Sequence, residues 1–269
     1  MSHFAVAVFT EPNGKTVDEL LAPYDENIVV EPYIDKTKEE IIQSAKETKD
    51  RILTRLKENP NYELDSWEED YINAKTDEEL YNQGIWEDEE YDENGNHLTT
   101  YNPKSKWDWY QIGGRWCGLL KAKKGERGER SFFDINGEYN SNEYDSALVS
   151  DLQFDIDQEE YDKAIRFWEI VVEDSPLKEG EEKPVNWYRK EYYLDTYKNK
   201  EIFAKCRTSF STFAVVLPNG EWCEKGKMGW FGVSSETSDE GLDWDLHYKE
   251  RFIDAAKPDW TITIVDCHI

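Results

Sequence analysis

The chain has few basic residues for its length and no long hydrophobic stretch. Among its 269 residues there are 32 Lys and Arg against 59 Asp and Glu, which gives a formal net charge of −27. A protein of that charge repels polyanions at long range, so we expect no direct binding to nucleic acid or to an anionic membrane surface. No apolar run approaches the roughly 18 residues of a transmembrane helix, so we predict no membrane span.

Cysteine is scarce and widely spaced. The four residues are Cys117, Cys206, Cys223 and Cys267. This spacing contains no CxxC zinc knuckle and is typical of free thiols in a reducing compartment. The segment after Met1 lacks the cationic start of a secretory signal. We therefore expect a cytoplasmic location.

The sequence also lacks the signatures of the large enzyme families. It contains no Walker loop, GxGxxG, HExxH, GxSxG or EF-hand loop. These motifs therefore indicate no cofactor, and whether the protein uses one is unknown from the sequence. Aromatic residues, by contrast, make up 14% of the chain, with 11 Trp and 16 Tyr. Because disordered chains are poor in aromatic residues, we predict a folded protein with an aromatic-rich core.

Hydrophobic periodicity predicts an α+β fold. The apolar runs 3–9 and 260–269 predict a first and a last strand, which we expect to lie side by side in an antiparallel sheet. Amphipathic patterns predict packed helices over 37–57, 157–172 and 238–257, the first begun by a capping box of Thr37 and Glu40. No repeat or sharp boundary divides the sequence, so we predict a single domain over residues 1–269.

Two neighbouring segments differ in the sign of their charge. Residues 61–100 carry 14 acidic residues and one Lys, interleaved with Tyr and Trp, and predict an acidic helical insertion over the core. Residues 104–130 carry eight basic and three acidic residues. Strand-like runs at 109–120 and 130–135 around a glycine-rich turn predict a basic aromatic hairpin over 104–135. One interpretation is that this hairpin neutralises the insertion.

The segment from Lys104 to Gly118 has the composition of a binding site. Three tryptophans, Trp107, Trp109 and Trp116, fall within ten residues. In a continuous strand, Trp107 and Trp109 would share one face, which suits either a core or a stacking platform.

Asp108, Arg115 and the pair Gly113–Gly114 lie among these tryptophans. Adjacent glycines permit a close backbone approach, and an arginine presents a planar set of donors to a carboxylate or phosphate. One hypothesis is that Arg115 binds a phosphate while a tryptophan stacks on a base. The alternative is an aromatic core in which Arg115 pairs with Asp108 or with the acidic insertion.

The histidines at the two ends form the second candidate site. If the terminal strands pair antiparallel, His3 lies near His268, and Asp266 shares a strand face with His268. Two histidines can cleave a phosphodiester, one as base and one as acid. Two histidines and a carboxylate can also bind a divalent metal. We assign catalytic roles to the two histidines and no metal ligand.

Five blocks of the sequence resemble those of a family of bacteriophage and prophage proteins. They are MSHF at 1–4, LAPYDEN at 21–27, KWDWYQIGGRW at 106–116, GWFGVSSE at 229–236 and VDCHI at 265–269. The resemblance implies a viral accessory role. It also adds Asp25 and Trp230 to the candidate site, because both lie inside the shared blocks.

These observations favour a phage-type accessory protein that acts by binding in the host cytoplasm. It would sequester a nucleotide-like small molecule or block a basic host defence protein. One alternative is a small phosphodiesterase or nuclease that uses His3 and His268, and another is an acidic mimic of nucleic acid. The ligand-binding candidates are Asp25, Trp107, Asp108, Trp109, Arg115, Trp116, Trp230 and Asp266.

Overall fold

The computed structural model describes residues 2–131, 139–229 and 232–269. By its internal contacts the chain divides into two compact units. Unit 1 comprises Met1–Glu26 and Lys104–Ile269, and unit 2 comprises Asn27–Pro103. The predicted acidic insertion, 61–100, and the helix predicted over 37–57 both belong to unit 2.

Helices and strands follow one another in runs along the chain, and the helices pack with mixed sheets, which confirms the α+β prediction. The strands are β1 His3–Thr10, β2 Tyr33–Lys36, β3 Glu90–Tyr91, β4 His97–Thr99, β5 Trp109–Ile112, β6 Leu120–Lys121, β7 Glu143–Tyr144, β8 Ser146–Leu148, β9 Ala214–Val216, β10 Trp222–Glu224 and β11 Thr261–His268. The helices are α1 Val17–Leu21, α2 Lys38–Glu58, α3 Ser66–Asn73, α4 Asp77–Gly84, α5 Gln158–Val171, α6 Lys190–Tyr197, α7 Lys200–Thr208 and α8 Ser238–Tyr248. A π-helical turn, Lys249–Ile253, continues α8. In the part of the chain described, no helix is both long and apolar enough to cross a membrane.

Unit 1 is built on a six-stranded sheet with the order β10–β9–β1–β11–β5, in which β8 also pairs with β11. Strands β1 and β11 are antiparallel over their full length, from His3 opposite His268 to Thr10 opposite Thr261. The two terminal strands are therefore adjacent, as the sequence predicts. Strand β9 pairs with β1 in parallel, so the sheet is mixed.

Both faces of this sheet are covered, because the alternate residues of β1 and β11 point to opposite sides. On the first face, Phe9 and Ile262 pack with Trp244 and Tyr248 of α8. On the second face, Val8 and residues nearby pack with α1. Complete burial of a side chain such as Phe9 contributes about 1.5–3 kcal/mol. The first face ends, at the edge of the core, in His3, Asp266 and His268.

Strand β5 pairs antiparallel with β11, with Trp109 opposite His268. The prediction of one strand from Trp109 to Leu120 is wrong. Gly113 and Gly114 have φ values of 73° and 55°, so the chain leaves the sheet and forms a 3-10 turn, Gly114–Trp116. Strand β6 then pairs with β7. Most of the second strand predicted for the hairpin, 130–135, lies outside the described residues.

Unit 2 combines α2, α3 and α4 with a three-stranded sheet of order β2–β4–β3. Helix α2 begins at the predicted capping box: Glu40 N–H donates to the Thr37 hydroxyl, and the Glu40 carboxylate accepts from the Thr37 N–H. A small apolar core includes Ala45, Ala74 and Leu80.

Candidate functional site

The two predicted catalytic histidines lie in contact at one end of the unit 1 sheet. The register of β1 and β11 places His3 opposite His268. Their ring centroids are 4.9 Å apart and the rings meet edge to face at 72°. The side chains are only 12% and 7% exposed. The pair is therefore largely shielded from water and is close enough for both rings to contact one small ligand.

Each histidine is held by its own carboxylate. His3 Nδ1 lies 2.8 Å from Asp266 Oδ1, and His268 Nδ1 lies 2.6 Å from Asp108 Oδ1. A carboxylate at Nδ1 places the proton of a neutral imidazole on that atom and leaves the lone pair on Nε2. Neither Nε2 forms a hydrogen bond with the residues that the structure describes. Both outer nitrogens are thus available for proton transfer.

Trp109 forms a wall beside both imidazoles. Its ring stacks on His268 at 5.1 Å and 18°, and it meets His3 edge to face at 5.3 Å. This contact follows from the pairing of β5 with β11, in which Trp109 is the residue opposite His268. An indole face attracts a cation, so the stack stabilises positive charge on the His268 ring.

The Gly113–Gly114 pair brings the backbone against a buried carboxylate. Asp266 is 1% exposed, and its Oδ2 accepts a hydrogen bond from the Arg115 N–H at 3.0 Å. A Cβ atom on Gly114 would lie 2.5 Å from Asp266 side-chain atoms, and a Cβ on Gly113 would lie 2.8 Å from Asp145 Oδ2. Only glycine fits at these positions, and the groups approached so closely are these two aspartates and the Ser131 hydroxyl.

Arg115 reaches the site through its backbone, and its side chain is exposed. The alternative of an ion pair with Asp108 is not observed. The guanidinium forms no ion pair with any residue that the structure describes. Because its N–H is fixed on the carboxylate that holds His3, its side chain starts beside the histidine pair.

Trp107 is part of the core rather than of this site. It is 6% exposed and packs edge to face on Tyr110 at 5.0 Å, on the second face of the sheet. The expectation that Trp107 and Trp109 share a face is wrong. Trp107 precedes β5 and forms an isolated bridge with Asp25, so strand alternation does not extend back to it. Asp25 therefore lies beside Trp107.

The two remaining tryptophan candidates are Trp116 and Trp230. Trp116 is half-buried and packs against the core of the first face. Trp230 lies outside the described residues.

Sequence reasoning missed Asp145, which is fully buried. It accepts hydrogen bonds from the N–H groups of Gly118 and Ser131, both at 2.7 Å, and from the Tyr139 hydroxyl. Burial and this hydroxyl contact raise the pKa of Tyr139 well above its ordinary value. Asp145 and Ser131 line a cavity of about 690 Å³ that contains neither histidine. No local pattern marks Asp145, because its partners come from separate loops.

A metal site receives no support from this geometry. Among the described residues, no group of three or more His, Cys, Asp or Glu side chains is arranged to hold a metal ion. The two histidines instead direct their Nδ1 atoms to separate carboxylates.

No family model, curated protein or solved structure matches the chain. Three of the five sequence blocks, 1–4, 106–116 and 265–269, contribute the residues that meet here: His3, Asp108, Trp109, Arg115, Asp266 and His268.

Proposed function

We propose that the chain is an acid–base catalyst that cleaves a small nucleotide-like phosphodiester, with His3 and His268 as the catalytic pair. The observation that carries this proposal is the pair of imidazoles 4.9 Å apart, each held at Nδ1 by a carboxylate. Cleavage of a phosphodiester requires a base for the attacking hydroxyl and an acid for the leaving oxygen, and two adjacent histidines supply both.

The two histidines take different roles in this scheme. His3, in its neutral form, accepts at Nε2 the proton of the attacking water or ribose hydroxyl as the new P–O bond forms. His268, in its cationic form, gives its Nε2 proton to the leaving oxygen as the old P–O bond breaks. The assignment follows from Trp109, whose stacked ring stabilises charge on His268.

Asp266 and Asp108 act as positioning residues. Each fixes the ring orientation and the tautomer of its histidine, so that Nε2 faces the substrate. Asp266 is itself held by the Arg115 N–H. The orientation of His3 therefore depends on the Gly113–Gly114 turn.

Arg115 supplies the phosphate contact. A guanidinium presents parallel donors to phosphate oxygens, and this one has no acidic partner among the described residues. The net charge of −27 opposes the approach of a long polyanion, so the substrate class is a cyclic mononucleotide or a short linear dinucleotide. The five phage-like blocks suggest a viral context, in which such a molecule would be a host signal.

The proposal is tested by incubating the protein with 2′,3′-cyclic and 3′,5′-cyclic mononucleotides and dinucleotides and separating the products by chromatography. We expect turnover by the wild type and a fall of about 10²- to 10⁴-fold in kcat for His3→Ala and for His268→Ala. His247→Ala is the matched control, because His247 lies on α8 with a side chain 48% exposed. It should retain full activity.

The dependence on pH tests whether one acid and one base are both required. We expect a bell-shaped profile of kcat/KM for the wild type, since one histidine must be neutral and the other protonated. Turnover that persists in both histidine variants contradicts the proposal. A thermal shift with nucleotides but no product instead supports sequestration of the ligand without catalysis.

A further inference from the structure

A second cavity of unit 1, of about 500 Å³, lies between α5, the segment 185–188, α6 and α7. This volume is within the range of roughly 300–1,000 Å³ that small-molecule sites occupy. Aromatic side chains make up much of its wall. They include Phe167, Trp187, Tyr188, Tyr192, Tyr193 and Tyr197. None of these residues belongs to the histidine site.

The aromatic side chains divide into a buried floor and an exposed rim. Tyr193 and Phe203 are 6% and 4% exposed and pack edge to face. At the rim, Trp187 is 87% exposed, and Tyr188 and Tyr192 stack on each other at 4.3 Å and 21°. Exposed aromatic surface grouped in this way is typical of a binding site.

The rim is held in place by hydrogen bonds. Asn186 Oδ1 accepts from the Tyr193 hydroxyl at 2.6 Å and from the Tyr188 N–H at 3.2 Å. Asn186 Nδ2 donates to the Tyr188 carbonyl at 2.8 Å. These bonds fix the turn that carries Trp187 between them. The exposed indole is therefore presented by a built turn attached to the floor.

Positive charge lies in the same cavity. Lys163 and Arg207 line it together with one acidic residue, Glu160. Lys163 pairs with Glu159 and Glu160, whereas Arg207 forms no ion pair with the residues that the structure describes. Burial raises the pKa of Tyr197 to about 12, and the nearby Arg207 opposes that rise. In a chain of net charge −27, an exposed guanidinium beside aromatic rings complements an anion.

We infer that this groove binds a small aromatic anion of the nucleoside monophosphate class. The base stacks on the exposed rings of Trp187, Tyr188 and Tyr192, and the phosphate accepts hydrogen bonds from Arg207. A proline-rich peptide also docks on ridges of Tyr and Trp, but it offers the guanidinium neutral carbonyl oxygens instead of an anion. The groove shares no residue with the histidine pair, so AMP binding there does not depend on whether that pair is catalytic.

Isothermal titration of the full chain with AMP, adenosine and inorganic phosphate tests this inference. We expect AMP to bind more tightly than either fragment. Trp187→Ala and Arg207→Gln should each raise the Kd of AMP about tenfold or more. Arg207→Lys should raise it less, because the charge is kept. Trp86→Ala is the control for exposed indoles, because Trp86 is 72% exposed in unit 2, and it should leave the Kd unchanged.

His268→Ala provides the second control and should also leave the Kd of AMP at this groove unchanged. Loss of AMP binding in His268→Ala, with retention in Trp187→Ala, would place the ligand at the histidine pair and overturn the inference. Equal Kd values for AMP in Trp187→Ala and Trp86→Ala would also overturn the inference. Binding of a poly-proline peptide in place of AMP would also overturn it, in favour of a peptide groove.

Discussion

The two units of the chain bury carboxylates with different kinds of partner. In unit 2, Glu68 is fully buried and accepts hydrogen bonds from the Arg55 guanidinium and the Tyr62 hydroxyl. In unit 1, Asp266 is equally buried, but its partners are the His3 imidazole and a backbone N–H. A guanidinium keeps its charge at every accessible pH, whereas an imidazole gains and loses a proton near neutrality.

The density of acidic residues does not mark the unit that contains the candidate site. Unit 2 contains 21 acidic and 8 basic residues in 77 positions, a net charge of −13, while unit 1 carries −14 over 192 positions. The more acidic unit uses its buried carboxylate to hold two helices together. The candidate catalytic site lies in the less acidic unit, where two imidazoles contact each other and each contacts a carboxylate.

The sharpest test of the unit 1 arrangement is Gly114→Ala. The new Cβ would meet Asp266 at 2.5 Å and would be held at a φ of +55°. We expect a loss of about 2–5 kcal/mol in the free energy of unfolding, from the clash and the strained backbone together. Turnover should fall as well, because Asp266 must move away from His3. Chemical denaturation and product assays measure the two effects.

Gly125→Ala is the matched control for that substitution. Gly125 also has a positive φ, +95°, but nothing lies within 4 Å of the position that the added methyl group would take. We expect only backbone strain, about 1–2 kcal/mol, and unchanged turnover. An equal loss of stability and activity in both variants would mean that contact with Asp266 is unimportant.

Glu68→Gln tests the corresponding carboxylate in unit 2. The substitution keeps the shape but removes the charge that faces Arg55. Because Arg55 is 51% exposed and partly screened by water, we expect a moderate loss of about 1–3 kcal/mol. Hydrogen exchange should increase in α2 and α3, with turnover unchanged. Glu69→Gln, at an exposed neighbouring position, should have no effect, and a fall in turnover with Glu68→Gln would contradict the division of roles.

The smallest expected effect concerns the helix caps. Hydrogen bonds from the Lys75 and Thr76 N–H groups lower the pKa of Glu79 below 4.5 in the folded chain. A carboxylate with a lowered pKa stabilises the fold above its unfolded value, and this contribution is lost as the pH falls through the folded value. Melting temperature should therefore depend on pH below about 4.5 less steeply in Glu79→Gln than in the wild type.

That cap effect should not distinguish the units. Glu240 of unit 1 has a pKa lowered by the same kind of bonds from Thr237. We expect Glu240→Gln to flatten the acid response of unit 1 in the same way. The exposed substitution Glu87→Gln serves as control, and an equal flattening by that control would argue against a contribution from the caps.

Sequence patterns were informative where the signal is local. The apolar runs 3–9 and 260–269 predicted the paired terminal strands, and Thr37 with Glu40 predicted the start of α2. The same reasoning failed at 109–120, where two glycines end the strand after Ile112. Helix α7 was not predicted at all. It has only nine residues, Lys200–Thr208, which is fewer than the about 11–18 over which a helical pattern can be recognised.

The partners of the site residues were harder to predict than their positions. The sequence indicated that His3, Asp266 and His268 lie together, since antiparallel pairing and a two-residue period are enough to place them. It left the partner of Asp108 open. Only the pairing of β5 with β11 shows that Asp108 bonds to His268 and that Trp109, rather than Trp107, stacks on it.

The sequence by itself therefore determined which residues of each terminal strand share a face, because side-chain alternation is a property of the extended backbone. The tertiary structure alone decided which carboxylate holds which imidazole and what lies against the Gly113–Gly114 turn. Those contacts join residues as much as 263 positions apart in the chain. Their geometry depends on strand register and loop packing, which arise only when separate segments bury their apolar faces together.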